Sequence, residues 1–160
     1  MSAASDEDRA EKLRRQLVGE LVSGGVLPSD GWRAAVAEVP RHVFVPTFYR
    51  QTPSEQEAVD ASSPGEWLEG VYGDQLLVVS PDVKSSSTVP SLMAVMLEAL
   101  DPADGHRILE IGTGTGYNAA LLCHRLGDGN VVSVDIAGGP CRCCERASGR
   151  AWVPSSTWRG

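Results

Sequence analysis

Apolar residues recur at helical spacing from Asp6 to Val22, where Leu13, Leu17, Leu21 and Val22 share one face, and Gly24 and Gly25 supply a stop. A second helix is expected with Ser29 or Asp30 as N-cap, running through Trp32, Ala35, Val36 and Val39 and ended by Pro40. "VPRHVFVP" follows, and then the pattern fades. From Thr47 to Gly70 the text is polar, with "TPSEQEAVDASSPGEW", and reads as a surface excursion too long for an ordinary connection. "VYGDQLLVV" reads as a short extended segment. "SSSTVPSLMAVMLEAL" is a hydroxyl-rich loop feeding a helix that starts near Pro90, and "DPADGHR" is a turn.

The pattern then sharpens. Ile108 to Ile111 predict a short buried strand, Tyr117 to Leu126 a helix, and Val131 to Val134 a second apolar strand ending at Asp135. Between the first strand and the helix, Gly112, Gly114 and Gly116 let the backbone turn sharply and present amide groups to a ligand. The dinucleotide fingerprint needs glycine at the third position of G-x-G-x-x-G; here Tyr117 stands there, and Glu110 sits two residues before Gly112. A carboxylate so near the loop repels a pyrophosphate but suits a ligand carrying ammonium and sulfonium charges. S-adenosyl-L-methionine is such a ligand. Asp135, at the tip of the second strand, is placed to accept both ribose hydroxyls. The expected cofactor-binding set is Glu110, Gly112, Thr113, Gly114, Gly116, Tyr117, Asn118 and Asp135.

Composition narrows the setting. A chain of 160 residues with 42% hydrophobic content suits one globular unit. Its net charge of -7, with 14 scattered basic residues, argues against a nucleic-acid surface, which needs clustered cations. No apolar run approaches the roughly 20 residues of a membrane span. "MSAASDEDRAEKLRR" is acidic and polar where a signal peptide is basic and then apolar, so a cytoplasmic protein is expected.

Taken in order, "RHVFVP", "VYGD", "SSTVPSLMAVMLEAL", "HRILEIGTGTGYNAALL" and "VVSVDI" resemble the protein-L-isoaspartate O-methyltransferase family, over about residues 10 to 136. The segment "PSLMAVMLEALDPADGHRILEIGTGTGYNAALLCHRLGDGN" is most similar to the branch associated with ATP-grasp peptide maturases, whose members methylate an aspartate carboxylate in a ribosomally made peptide. The long polar insertion between Pro46 and Tyr72 favours that branch. The resemblance implies an α/β, Rossmann-like class I methyltransferase fold, with a helical, substrate-side region (1–70) and the first half of a cofactor-binding domain (71–136). It implies methyl transfer to an isoaspartyl protein or to an aspartate-containing precursor peptide. In the family a serine two residues before the proline of the "S-x-P" loop lies beside the acceptor carboxylate, which makes Thr88 the catalytic candidate here. The hydroxyl is kept and the residue is not; the added methyl stiffens χ1 and adds bulk. Thr88 also reads as an N-cap ahead of Pro90.

His42, His106 and His124 lack partner spacing for a metal, and none is expected to bind one. Trp67 and Tyr72 read as groove-lining or packing aromatics. From Ala137 onward no hydrophobic period survives while Cys, Arg, Gly, Ser and Trp rise, as when GC-rich DNA is read in the wrong frame; a disordered, frameshifted tail (137–160) is the expectation. Cys141, Cys143 and Cys144 form C-x-C-C, which lacks the C-x-x-C knuckles of a tetrahedral zinc site. Two functions follow: a carboxyl methyltransferase, or a catalytically dead remnant that binds a peptide.

Overall fold

The structure is a computed structural model and describes residues 3–52, 56–80 and 85–135. The frameshift and zinc readings of residues 137–160 lie outside the described residues.

The first helix, α1 (Ala3–Ser23), buries Ala10, Leu17 and Leu21 along one stripe. It ends where expected: Gly24 N–H donates to Glu20 O at 2.9 Å, Gly25 takes a positive φ, and Val26 N–H returns to Leu21 O at 3.1 Å. Helix α2 (Asp30–Glu38) buries Trp32, Ala35 and Val36. Its N-cap residue is Ser29, but the hydroxyl does not cap the helix. Instead the Ser29 hydroxyl and backbone N–H both donate to the Glu98 carboxylate, tying α2 to a later helix. A single turn, α3 (Arg41–Phe44), follows Pro40.

The polar stretch after Pro46 is not an irregular excursion. It forms β1 (Thr47–Gln51), β2 (Gln56–Asp60) and the first part of α4 (Pro64–Tyr72), so Val71 and Tyr72 are helical rather than extended. β1 and β2 pair antiparallel, with Phe48 opposite Val59, and these two are the hairpin's buried contribution. The other described side chains of β1 and β2 remain at least partly accessible, which is why the segment carries so little apolar pattern. Gly70 of α4 faces the Phe48 ring so closely that a Cβ there would overlap it. Strands β3 (Leu77–Ser80) and β4 (Ser85–Ser87) complete an antiparallel sheet of order β2-β1-β3-β4. Because β3 pairs with β1, the expected division at residue 70 falls inside α4 and cuts a sheet that spans it.

Helix α5 (Pro90–Leu100) starts at the predicted proline; its N-cap is Val89, not Thr88. Then come β5 (Ile108–Ile111), α6 (Tyr117–Leu126), a short 3-10 turn (Asp128–Asn130) and β6 (Val131–Val134). β5 and β6 run parallel, with Ile108 opposite Val131 and Ile111 opposite Val134, so α6 is the crossover of a βαβ unit. The expectation that Ile108 to Ile111 form a buried strand needs correction. Ile108 and Val131 pack against the core, whereas Leu109 and Ile111 are 61% and 82% exposed, with Val132 and Val134 also open. One face of the parallel pair is therefore uncovered among the described residues. No described helix is long and apolar enough to cross a membrane.

Candidate active site

The glycine loop is a backbone device. Gly112, Gly114 and Gly116 all have positive φ (90°, 53° and 84°), a region costly for residues with a Cβ. At Gly112 and Gly114 no described residue lies near a built Cβ, so it is the turn that demands glycine there. The loop is anchored to the end of β6: Gly112 N–H donates to Val134 O at 2.7 Å, and Gly114 N–H donates to Asp135 Oδ2 at 2.9 Å. Asp135 thus reaches the loop from the tip of the second strand, where the sequence pattern puts it.

A side-chain network supports the loop from below. Glu110 Oε1 accepts from Asn118 Nδ2 at 2.7 Å, Glu110 Oε2 accepts from the Ser133 hydroxyl, and Ser133 Oγ lies 2.6 Å from Thr113 Oγ1. Both oxygens of the Glu110 carboxylate are engaged, and the loop, helix and second strand are joined through it. Ser133 is absent from the expected set. Its signal was only a hydroxyl on an otherwise apolar strand, opposite Glu110 in the parallel register.

Glu110, Gly112, Thr113, Gly114 and Asn118 line one cavity of about 340 Å³. Thr88, Ser86 and Ser87 line the same cavity from the end of β4, and Met93 and Met96 of α5 contribute apolar wall. No lysine, arginine or histidine is among the described lining residues. The expected catalytic hydroxyl and most of the expected cofactor set thus share one space. Three members are not among its lining residues: Asp135, which meets the loop at Gly114 N–H, and Gly116 and Tyr117. Gly116 is buried as the N-cap of α6, and Tyr117 is buried in the core, 5.9 Å from the Phe44 ring. Burial raises the Tyr117 pKa. Its side chain supports the helix rather than facing the loop's open side.

The other candidates pack. His42 Nδ1 lies 2.8 Å from the Tyr72 hydroxyl and Nε2 3.5 Å from Glu7, and the ring meets Trp67 and Tyr72 edge-on. Burial holds His42 below its ordinary pKa, with Glu7 opposing. Trp67 Nε1 donates to Val45 O at 2.9 Å. His124 pairs with Glu38, and His106 accepts from Ala103 N–H. Among the described residues no cluster suits a metal ion.

Sequence reasoning also passed over Arg41. Its side chain is wholly buried; Nη1 donates to Val71 O at 2.9 Å, and Nη2 to Ser87 Oγ and Thr88 O, both at 3.0 Å. Its guanidinium carbon lies 5.7 Å from the centre of the Tyr117 ring. Burial lowers its pKa. The clue was a cation inside the apolar run "VPRHVFVP".

A parallel βαβ unit with a glycine loop and an acidic second-strand tip defines a Rossmann-like α/β domain. The family model described as protein-L-isoaspartate(D-aspartate) O-methyltransferase matches residues 11–147. The chain is 32% identical over 133 residues to the protein-L-isoaspartate O-methyltransferase of Methanopyrus kandleri, covering 82% of this chain and 50% of that protein. It is 35% identical over 117 residues to the one from Pelotomaculum thermopropionicum, covering 73% and 42%. A solved structure of a protein-L-isoaspartate O-methyltransferase is similar with a TM-score of 0.56 at 33% identity, covering 85% of this chain and 37% of the other. The chain belongs to the protein-L-isoaspartate(D-aspartate) O-methyltransferase family. Its sheet is part of that methyltransferase fold, and it spans about half the length of the curated relatives it matches.

Proposed function

We propose that these residues form the cofactor loop and acceptor wall of an S-adenosylmethionine-dependent carboxyl O-methyltransferase acting on isoaspartyl or aspartyl side chains. The observation that carries this reading is the shared cavity, with Thr88 and its neighbouring serines on one side and the Glu110–Thr115 turn on the other. The donor set fits a cationic ligand. Glu110 lines the cavity with no basic side chain among the described lining residues, and Asp135 stands at the loop's edge. On this reading Asp135 accepts the ribose hydroxyls, while Glu110, Thr113 and Asn118 hold the glycine turn in shape. When bound, S-adenosylmethionine supplies an electrophilic methyl group on a sulfonium sulfur. The acceptor carboxylate is ionised at neutral pH, so the site needs no strong base. The Thr88 hydroxyl donates to that carboxylate and orients it toward the cofactor side of the cavity. Residues 1–70 serve the acceptor side and 71–136 the cofactor side, with β3 and β4 shared between them. The β1–β2 hairpin is the part of the acceptor side that favours a precursor peptide over a damaged protein.

Calorimetry with S-adenosylmethionine, followed by methyl incorporation into matched isoaspartyl and aspartyl peptides, tests the reading. Binding that disappears in Gly114→Val, with transfer to one of the two peptides, supports it. Binding unaffected by that change would mean the loop is only a turn. A second reading, a peptide-binding module without transfer, is favoured by the face of β5 and β6 left open among the described residues. Peptide binding that is indifferent to S-adenosylmethionine selects it.

A further inference from the structure

We infer that Arg41 is a positioning residue that clamps the Thr88 loop to the helix following the glycine turn, so that the acceptor wall and the cofactor wall move together; this rests on the functional reading above. Three elements meet at its guanidinium. It donates to the carbonyl of Val71 in α4, to the Ser87 hydroxyl in β4 and to the Thr88 carbonyl beyond β4. The same group stands 5.7 Å from the ring centre of Tyr117, the first residue of α6 and the neighbour of Gly116. Thr88 therefore lends its carbonyl to the clamp and lines the cavity, while Tyr117 lends its ring and carries the glycine turn on its N-terminal side.

The chemistry is costly for stability alone. Arg41 is 0% exposed, its hydrogen-bond acceptors are neutral oxygens, and its Nε makes no hydrogen bond. A well-packed apolar side chain commonly stabilises such a site as well or better. What an apolar side chain cannot do is fix three acceptors in one plane. Lysine cannot either, because its single ammonium lacks the planar fork that reaches Val71 and Thr88 at once. The arrangement sets distance and orientation between the two walls, and transfer between bound groups is sensitive to displacements of about 1 Å.

Amide exchange on the full chain tests this, with and without S-adenosylmethionine. In the parent, the ligand should slow exchange at residues 86–89 together with residues 112–118, each by about threefold or more. In Arg41→Met the response at 112–118 should persist, with ligand affinity within about twofold, while the response at 86–89 disappears. Arg41→Lys should restore only part of it, and Ser87→Ala, which removes one contact and spares the core, should weaken it. Where transfer is measurable, kcat should fall with the ligand Kd unchanged. An 86–89 response in Arg41→Met equal to the parent's overturns the proposal. So does exchange that rises evenly over both sheets, which marks a merely structural arginine. If Arg41→Met does not fold, Ser87→Ala and Arg41→Lys decide it by the same criterion. If the parent binds no S-adenosylmethionine, the methyl-transfer reading fails by itself. The clamp is then read from unliganded exchange: residues 86–89 should speed up in Ser87→Ala while the β1–β2 hairpin does not, and an unchanged rate rejects it.

Discussion

Leu17, Leu27, Val45 and Val71, all in the first half of the chain, are at most 1% exposed, while Leu109 and Ile111 of β5 are 61% and 82% exposed. The residue types are alike and their surroundings are opposite. Helices α1, α2, α4, α5 and α6 close one core over the inner face of the antiparallel sheet, which needs only that face covered. The parallel pair has no such economy, because parallel sheets are ordinarily covered on both faces. Here α6 lies against the Ile108, Glu110, Val131 and Ser133 side, and the alternate residues face outward. Helix α5 adds Leu92, Val95, Met96 and Leu100 to the open apolar surface. The described residues thus join one closed core, to which α6 contributes Ala119, Leu121 and Leu122, to a parallel strand pair whose outer face is open.

The contrast makes graded predictions. Leu17→Ala should cost about 2–5 kcal/mol of unfolding free energy, as large-to-small changes in closed cores do; a denaturant midpoint unchanged from the parent would mean that α1 is not packed as described. Asp135→Ala should leave the midpoint nearly alone and weaken S-adenosylmethionine binding by about 1–3 kcal/mol, the cost of losing charge-assisted hydrogen bonds. Calorimetry showing equal affinities would remove Asp135 from the site. A pH series probes the closed core from another side. Because burial holds the folded-state pKa of His42 below the ordinary value of 6.5, the unfolded chain takes up a proton that the folded chain refuses. Stability from this group is present above pH 6.5 and is lost as pH falls toward the folded-state pKa. His42→Gln should flatten that slope between pH 7.5 and 5.5, and a slope equal to the parent's rules the residue out. The smallest effect belongs to the open face: Ile111→Thr should shift stability by no more than about 0.5 kcal/mol. A loss as large as that of Leu17→Ala would show Ile111 to be packed after all.

Legibility in the sequence followed the same division, for a physical reason. The amphipathic helices and the strand–glycine–helix–strand unit were readable because their pattern is local and periodic. The hairpin was not, since only Phe48 and Val59 bury fully and two residues do not make a period. Within the site, backbone demands showed through as glycines, and Asp135 showed through by its distance from the loop. Ser133 and Arg41 did not. Their hydrogen-bond partners lie 20 to 47 residues away, and nothing in a local window tells a buried guanidinium from a surface one. Tyr117 was misleading for a related reason. Its place beside the glycine turn is local, but the direction of its ring, toward Phe44 and Arg41, is decided by helices laid down much earlier in the chain.

The meeting of Gly70 with Phe48 sets a rule for anyone grafting a different hairpin onto this scaffold. The pose of β1 against α4 is stored as a bare backbone on one partner and a full ring on the other, so neither position can be chosen independently. A graft that carries its own small residue to position 48 leaves a void of aromatic size, and one that fills position 70 must surrender the ring. Exchanging the two volumes, with Phe48→Ala alongside Gly70→Leu, is the swap that gives a recombined chain a second solution to the same joint.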